Sequence, residues 1–428
     1  METFEVIVVG AGLSGLAAAY TLAGQGVEVV VLERGDYPGA KNVTGGRLYV
    51  NPVRALFPEI WERAPLERFV AREGISLLAR DRSLALDYSG QELAGQPPQS
   101  WTVLRARFDR WFADEAEARG ALILPKTAVE KVLVEGGRTV GVVAGGDELR
   151  ADVVIACDGV LSMTAEQAGL HAPLTPRYYA VGIKEVITLD PQRVEDRFAL
   201  DGAAGAARLY AGSVTEGLFG GGFLYTNRDS VSLGLVVGLE AIGASQALRD
   251  VPALLDAFKA RPEIAPLLKG GQTAEYAAHL IPEGGLEGLL PLWGEGILVA
   301  GDAAGLALNL GVTVRGMEYA LASGYYAAQA VMEARKAGDF SSSTLAVYGR
   351  LLEESFVMKD FRTFREAPRI VANPRFFNTY PELAGNILRE IYAVGPGPKE
   401  RLFPAVRRHL PWSGLWPLLK DLREGAKL

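Results

Sequence analysis

The sequence predicts an α/β protein: a Rossmann-like dinucleotide-binding domain, interrupted by a strand-rich insert and followed by a helical C-terminal region. Three observations carry this expectation. Residues 1–34 run strand, glycine turn, helix, strand and acid in that order. Two later apolar runs, residues 153–157 and 296–300, end in Asp158-Gly159 and Gly301-Asp302. Strand candidates in a stretch with few charges then cluster between those two runs, while helical patterns fill the end of the chain. At 428 residues with 49% hydrophobic content, the chain has room for two or three cored domains.

Residues 4–9 (FEVIVV) are almost unbroken apolar, the pattern of a parallel strand buried on both faces. Gly10-Ala11-Gly12-Leu13-Ser14-Gly15 follows at once and fits G-x-G-x-x-G. Residues 13–23 read as a helix dense in alanine, able to lie close to a sheet. Residues 27–32 (VEVVVL) are a second buried strand that ends on Glu33, with Arg34 after it. In this order each residue has a task. Gly10 permits a tight turn, Gly12 lets backbone approach a pyrophosphate, and Gly15 permits close helix–strand packing. The helix N-terminus, with Ala11 and Ser14 beside it, offers N–H groups to phosphates, and Glu33 accepts from ribose hydroxyls.

The loop over residues 34–46 is too long for a simple connection. It is expected to fold over the far end of the dinucleotide, with Gly45 and Gly46 against a ring. Residues 75–88 alternate around Arg80-Asp81-Arg82 and read as a hairpin, and Gln96-Pro97-Pro98-Gln99 as a stiff extended loop. Residues 101–105 run as a strand into a helix over 108–119. From the neighbourhood of Val129, residues 128–153 form a meander with glycine turns at 136–137 and 145–146. It delivers the chain into the buried strand that ends at Asp158-Gly159. A meander between two parallel strands is typical of FAD domains of the glutathione-reductase/hydroxylase kind.

Residues 177–280 are a strand-rich insert with strands expected over 181–189, 207–214, 222–227 and 231–239. Asn227-Arg228-Asp229 makes the last turn, and a helix over 253–260 is closed by Pro262. Such an insert builds a pocket wall facing the cofactor. Within it, Gly220-Gly221-Gly222 marks either a bulge or a place where something flat approaches the backbone. Residues 296–300 are a third buried strand, followed by a long helix over 313–334. The tail is helical over 344–365 and 381–392, with Lys359, Arg362, Arg365 and Arg369 exposed. It ends in residues 402–419, where Trp412, Trp416 and leucines alternate with Arg407 and Arg408. The expected division is a discontinuous cofactor domain (1–75, 100–175 and 281–340), a β-rich substrate domain (76–99 and 176–280) and a helical region (341–428).

Asp302 stands where a strand's carboxyl end meets a helix, far from Glu33. Two acidic anchors suit a ligand with hydroxyls at both ends, which FAD has in its ribose and ribityl chain; NAD fits less well. No second G-x-G-x-x-G occurs, so a separate NAD(P)H domain is not expected. The net charge of −7 argues against nucleic acid as a general partner. No apolar run reaches membrane-spanning length: residues 280–312 come nearest and are broken by glutamates, glycines, prolines and Asp302. The chain opens directly into its first strand, which points to a cytoplasmic protein. The single cysteine, Cys157, excludes an intrachain disulfide, a dithiol relay and a four-thiolate iron–sulfur site within the chain. It reads as a small core residue. His171, His279 and His409 are scattered, so no metal site is expected.

Residues 35–49 (GDYPGAKNVTGGRLY), 103–112 (VLRARFDRWF), 220–225 (GGGFLY) and 301–324 (GDAAGLALNLGVTVRGMEYALASG) carry a family resemblance. They resemble the electron-transfer flavoprotein:quinone oxidoreductases in their FixC-type flavoprotein-subunit form, within the wider geranylgeranyl-reductase-like FAD group. The resemblance spans most of residues 1–392. It implies an FAD that receives electrons from electron-transfer flavoprotein and delivers them to a membrane quinone. It further implies that Gly10, Gly12, Gly15 and Glu33 hold the ADP half, with Arg105 near the pyrophosphate and Asp158 nearby. Asp302 would meet the ribityl chain; Gly45, Gly46 and Gly311, with Val312 next to it, would meet the flavin ring. Gly220 and Gly221 match the paired glycines that face the quinone head group.

Single-chain members of the family carry a cysteine-rich ferredoxin module, which this chain lacks. A separate small ferredoxin-like subunit would complete the route, and Lys359, Arg362, Arg365 and Arg369 are candidates to dock it. The tail over 402–419 suits an interfacial anchor on the inner face of the cell membrane, or else docks on the protein's own core. Two alternatives stay open: an FAD-dependent isoprenoid reductase, against which the missing P-C-x-x-Y-type motif counts, and a flavin-binding protein without turnover.

Overall fold

The apolar N-terminal run forms the strand Glu2–Val9, with Val6 to Val9 buried. In this computed structural model, residues 2–42, 46–171, 174–244, 250–409 and 412–428 are described. Gly45 therefore lies outside the described residues, as do the side chains of Leu402, Ala405 and residues 412–414, Trp412 among them. The first strand is the middle of a parallel core. Val29–Leu32 and then Leu122–Leu124 lie on one side, Asp147–Ala156 and then Ile297–Val299 on the other. Strand order reverses between Glu2–Val9 and Asp147–Ala156, so a crevice opens there at the carboxyl ends of the strands.

The expected meander is present as Val129–Glu135, Arg138–Ala144 and Asp147–Ala156. Its third strand is longer than expected. The same ten residues close the meander at one end and run parallel to the first strand along their length. Helix Leu13–Ala23 lies so close to helix Met317–Ala337 that a Cβ on Gly324 would stand 2.0 Å from the Ser14 carbonyl oxygen. That later helix begins after the expected position 313. Val314 and Arg315 are instead paired with Leu308 and Asn309 in a small hairpin, and Gly316 caps the helix.

The second sheet has nine strands among the described residues. From Gln272–Pro282 it runs through Tyr179–Thr188, Ser230–Gly238, Gly220–Thr226 and Ala204–Gly212 to Phe69–Leu78. It draws in residues that the sequence assigned to the cofactor domain: Phe69–Leu78 straddles the expected boundary, and Arg47–Tyr49 and Ser100–Thr102 also join. Their pairing partners are far along the chain, as with Phe69 and Ala204, so local pattern did not reveal them. Gln272–Pro282 was also unread as a strand; its alanines and glutamate hide the alternation. The three glycines make no bulge, since Gly220 to Thr226 pair in unbroken register with Ser230–Gly238.

One face of this sheet buries Leu224, Leu233 and Leu235 against Phe198, Leu255 and Phe258 of the helices Pro191–Phe198 and Val251–Lys259. The opposite face turns to the crevice. The expected helix over 344–365 is three helices, Ser342–Leu345, Val347–Glu354 and Phe356–Thr363. Ser355 makes the break between the last two by adopting extended backbone and accepting the Val357 N–H at 3.1 Å. The four basic residues of this region have local partners: Lys359 donates to the Glu354 carbonyl, and Arg362, Arg365 and Arg369 pair with Glu353, Glu366 and Glu424. Among the described residues no helix is long and apolar enough to cross a membrane.

Candidate functional site

The crevice is a single cavity of about 990 Å³ between the strand ends of the first sheet and the face of the second, a size typical of cofactor and ligand sites. At one end stands the glycine turn. Gly10 adopts φ +100°, and a Cβ on Gly15 would lie 2.0 Å from the Gly10 carbonyl oxygen, so both are needed for the chain to fold back. Gly12 is different. A Cβ there would meet nothing closer than Arg105 Nη2 at 3.9 Å and Asn42 Nδ2 at 4.0 Å. The space above it is what a side chain would fill and a ligand can use. Helix Leu13–Ala23 starts here with no side-chain cap, leaving its first N–H groups to an anion.

Glu33 closes this end. Its carboxylate accepts the Ala11 N–H at 2.9 Å and the Gly35 N–H at 2.6 Å, tying the second strand to the glycine turn. Arg105 opens helix Arg105–Glu117 and donates through Nε and Nη2 to both oxygens of Asp109, each at 2.7 Å. Asn42 donates to Asp109 as well. The guanidinium is thus fixed beside the glycine turn, its remaining donors free for phosphate oxygens. An acceptor for ribose, an uncapped helix start and a locked arginine fit the ADP half of FAD.

Midway along the cavity lie Cys157, Asp158, Gly159 and Asp302. Asp158 accepts the Thr164 N–H and hydroxyl, both at 2.9 Å, and so holds the turn into helix Met163–Gln167. Burial raises the pKa of Asp158 despite these bonds. Burial also raises that of Asp302, with Arg105 opposing. The Cys157 thiol is pushed up to about 12 by burial, as befits an inert core residue. Ser14, Arg34, Gly46, Val129, Gly311 and Val312 also line the cavity. Ala11, Gly15 and Gly301 do not; Gly301 packs on Ser14, whose Oγ would be 2.6 Å from a Cβ there.

Beyond these groups the lining is mostly apolar. The floor here is a cross-strand row of the second sheet: Leu77 pairs with Ala211, and Val236 pairs with both Gly221 and Gly182, which pairs with His279. Gly220, Gly221 and Gly222 all line the cavity, although a Cβ on Gly222 would point at Phe258. Phe219 meets Phe377 edge to face at 5.8 Å, and Leu418, Leu422 and Leu428 of the C-terminal segment reach the mouth. Burial, and then Arg34 and Arg105, lower the pKa of His279, which is therefore neutral near pH 7. Sequence reasoning missed Arg47, Glu283, Asn309 and Arg315, all lining residues. Arg47, Asn309 and Arg315 lie in the segments that carry the family resemblance, whereas Glu283 lies in none of them. No cluster of groups that could hold a metal occurs among the described residues.

Comparison with known proteins bears on this geometry. Residues 3–200 match the FAD binding domain model, residues 179–281 the model described as ETF-QO, ubiquinone-binding, and residues 367–428 the ETF-QO/FixC family C-terminal domain. The chain is 46% identical over 425 residues to the probable electron transfer flavoprotein-quinone oxidoreductase YdiS of Escherichia coli (strain K12), covering 99% of each. The chain belongs to the ETF-QO/FixC family. A second relative, protein FixC of Escherichia coli O157:H7, is 43% identical, again over 99% of both chains. Among solved structures, a geranylgeranyl bacteriochlorophyll reductase-like protein from Thermoplasma acidophilum superposes with a TM-score of 0.73, at 22% identity, over 99% of this chain and 100% of that one. The myxobacterial halogenase CndH gives 0.63 at 21% identity, over 91% and 90%. These two share the fold. As a member of the ETF-QO/FixC family, the protein is an FAD-dependent oxidoreductase.

Proposed function

We propose that this chain takes electrons from electron-transfer flavoprotein, by way of a separate ferredoxin-like iron–sulfur subunit, and passes them to a membrane quinone. The observation that carries this reading is the continuity of the cavity. A polar cradle built for a dinucleotide runs without interruption into a mostly apolar floor and mouth. FAD supplies the electron transfer when bound. Gly10, Gly12, Glu33 and Arg105 hold its ADP half, which Ser14, Arg34 and Val129 border, while Gly15 and Ala11 shape the glycine turn from outside the cavity through Gly10 and Glu33. Asp302 meets the ribityl chain, with Gly301 packed behind it on Ser14, and Gly46, Gly311 and Val312 meet the ring system. Asp158 and Gly159 keep the middle of the cradle in shape. Gly220, Gly221 and the row beneath them receive the quinone ring.

The sole cysteine is buried, so these 428 residues hold no four-thiolate cluster, and a separate subunit supplies one in this reading. The exposed Phe403, Trp416 and Leu419 give the C-terminal segment an apolar surface with which to rest on the inner face of the membrane. The test is to follow flavin absorbance. Reduced electron-transfer flavoprotein should bleach it only with the small iron–sulfur protein present, and quinone should restore it. Bleaching without that protein would remove the subunit from the reading. Saturation of prenyl double bonds, with no response to electron-transfer flavoprotein, would assign an isoprenoid reductase instead.

A further inference from the structure

Glu283 is a buried carboxyl group facing the cavity, and none of the binding roles above uses it. It stands just past the last strand of the second sheet, Gln272–Pro282, where the chain turns back toward the first sheet. Its N–H donates to the Tyr178 carbonyl at 2.7 Å, which fixes the backbone. Its side chain is 7% exposed and lines the cavity. Oε2 accepts from Asn309 Nδ2 at 3.0 Å, and Asn309 Oδ1 in turn accepts the Gly311 N–H at 2.8 Å. The carboxyl is thereby tied to the turn of the small hairpin that carries Gly311 and Val312. No cation pairs with Glu283 among the described residues.

Charged groups on the surrounding elements are engaged elsewhere. On the hairpin, Arg315 pairs with Glu318 and Asp360. On helix Ala367–Val371, Arg369 pairs with Glu366 and Glu424. In the turn Pro176–Tyr178, Arg177 lies over the Tyr178 ring. On the same strand His279 is held neutral, and Glu287 in the turn Gly285–Gly288 would only add like charge. A carboxyl group so placed, with one donor and no counter-ion, favours its protonated form. Burial pushes its pKa up to about 7, with the Asn309 bond opposing.

We propose that Glu283 is the proton donor of this cavity, supplying a proton to the quinone oxygen reduced there. The inference rests on the quinone reading above. Reduction of a quinone to a quinol takes two electrons and two protons. The electrons come from the cofactor, replenished by reduced electron-transfer flavoprotein. One proton comes from Glu283: its O–H bond breaks as an O–H bond forms on a ring oxygen, leaving the carboxylate. The second proton comes from water through the mouth, and water also reprotonates Glu283. A group poised near neutrality suits such a cycle, because it is protonated when needed and is readily recharged.

The holoenzyme and its Glu283→Gln and Glu283→Asp variants test this, with flavin content as the control for folding. In the native protein, quinone reduction should fall as pH rises through about 7, following loss of the protonated acid. Glu283→Gln should lower the rate by roughly 100-fold and abolish that pH dependence, and Glu283→Asp should restore part of both. Infrared spectroscopy gives a readout independent of turnover: a carboxyl band titrating near neutrality, missing in Glu283→Gln. If native protein reduces quinone and Glu283→Gln keeps its rate and pH profile, the proton role is wrong while the quinone reading stands. If native protein fails to reduce quinone at all, the quinone reading itself falls. A Glu283 carboxyl band that titrates only in the ordinary carboxylate range would also overturn the inference.

Discussion

Glu33 and Glu283 are both buried carboxyl groups, yet their surroundings give them opposite tasks. Glu33 spends its two oxygens on the N–H groups of Ala11 and Gly35, so it shapes the glycine turn as well as offering lone pairs to a ribose. Hydrogen bonds to a charged group contribute about 1.5–3 kcal/mol each. Glu33→Arg removes both acceptors and sets a second cation near Arg105. We therefore expect FAD affinity to drop by roughly 100-fold or more, the loss of two charge-assisted bonds to the ribose hydroxyls. Flavin retained through gel filtration measures this, and native retention would show that the ribose end is held by other groups. Glu33 was legible because it ends a strand at a fixed distance from a glycine motif. Glu283 was not. Its partner Asn309 is 26 residues away, and its burial is decided by how the two sheets meet, which no local pattern encodes.

At the scale of elements, the second sheet supplies both a core face and a site face, and the glycine strand divides its residues between them. Gly222 must be small because Phe258 lies 2.8 Å from where a Cβ would be, and a Cβ on Gly221 would stand 2.7 Å from the Tyr210 carbonyl oxygen. A substitution at Gly221 therefore strains the sheet as well as the cavity, which makes it a poor probe. Ala211 is the better one. It sits in the same cross-strand row, beside Leu77, and its methyl group already lines the cavity floor. Ala211→Phe should fill that floor, slowing quinone reduction by about 10-fold or more. Bound FAD and its bleaching should stay as in the native protein. Unchanged turnover would move the quinone off this row. Four strands of the insert were readable from sequence, as were the first βαβ unit, from its apolar runs and glycine motif, and the meander, from its glycine turns. What escaped were elements set by distant partners: the edge strand Gln272–Pro282, and the pieces Arg47–Tyr49 and Ser100–Thr102 recruited from the cofactor half. The break at Ser355 escaped because serine suits a helix interior poorly but not impossibly, and only its cap bond to Val357 shows which state was chosen.

For the whole molecule, the question is how the proposed quinone would reach a floor enclosed between two sheets. The mouth is the one region where the C-terminal segment borders the cavity, through Leu418, Asp421 and Leu422. Asp421 anchors it: the carboxylate pairs with Arg375 at 2.5 Å and accepts from the Tyr380 hydroxyl, and burdened with these partners it is held at about 2. The helix Trp412–Gly425 is therefore pinned at the mouth by its polar face, while Trp416 (77% exposed), Leu419 and Leu422 point to solvent or sit at the rim. Such a helix is too short to cross a bilayer but suited to lie at its surface. Burying a large apolar side chain contributes about 1.5–3 kcal/mol, so the three together can hold the mouth against lipid. We expect the double variant Trp416→Ser, Leu419→Ser, which leaves the cavity-lining Leu422 in place, to lose at least ~10-fold in affinity for anionic liposomes, the loss of even one such burial. It should also slow reduction of a long-chain quinone embedded in those vesicles, while a short, water-soluble quinone is reduced as before. This pairing separates access from chemistry. Equal loss with both quinones would mean that the helix shapes the site itself, and native liposome binding by the variant would place the segment against the protein's own core rather than the membrane.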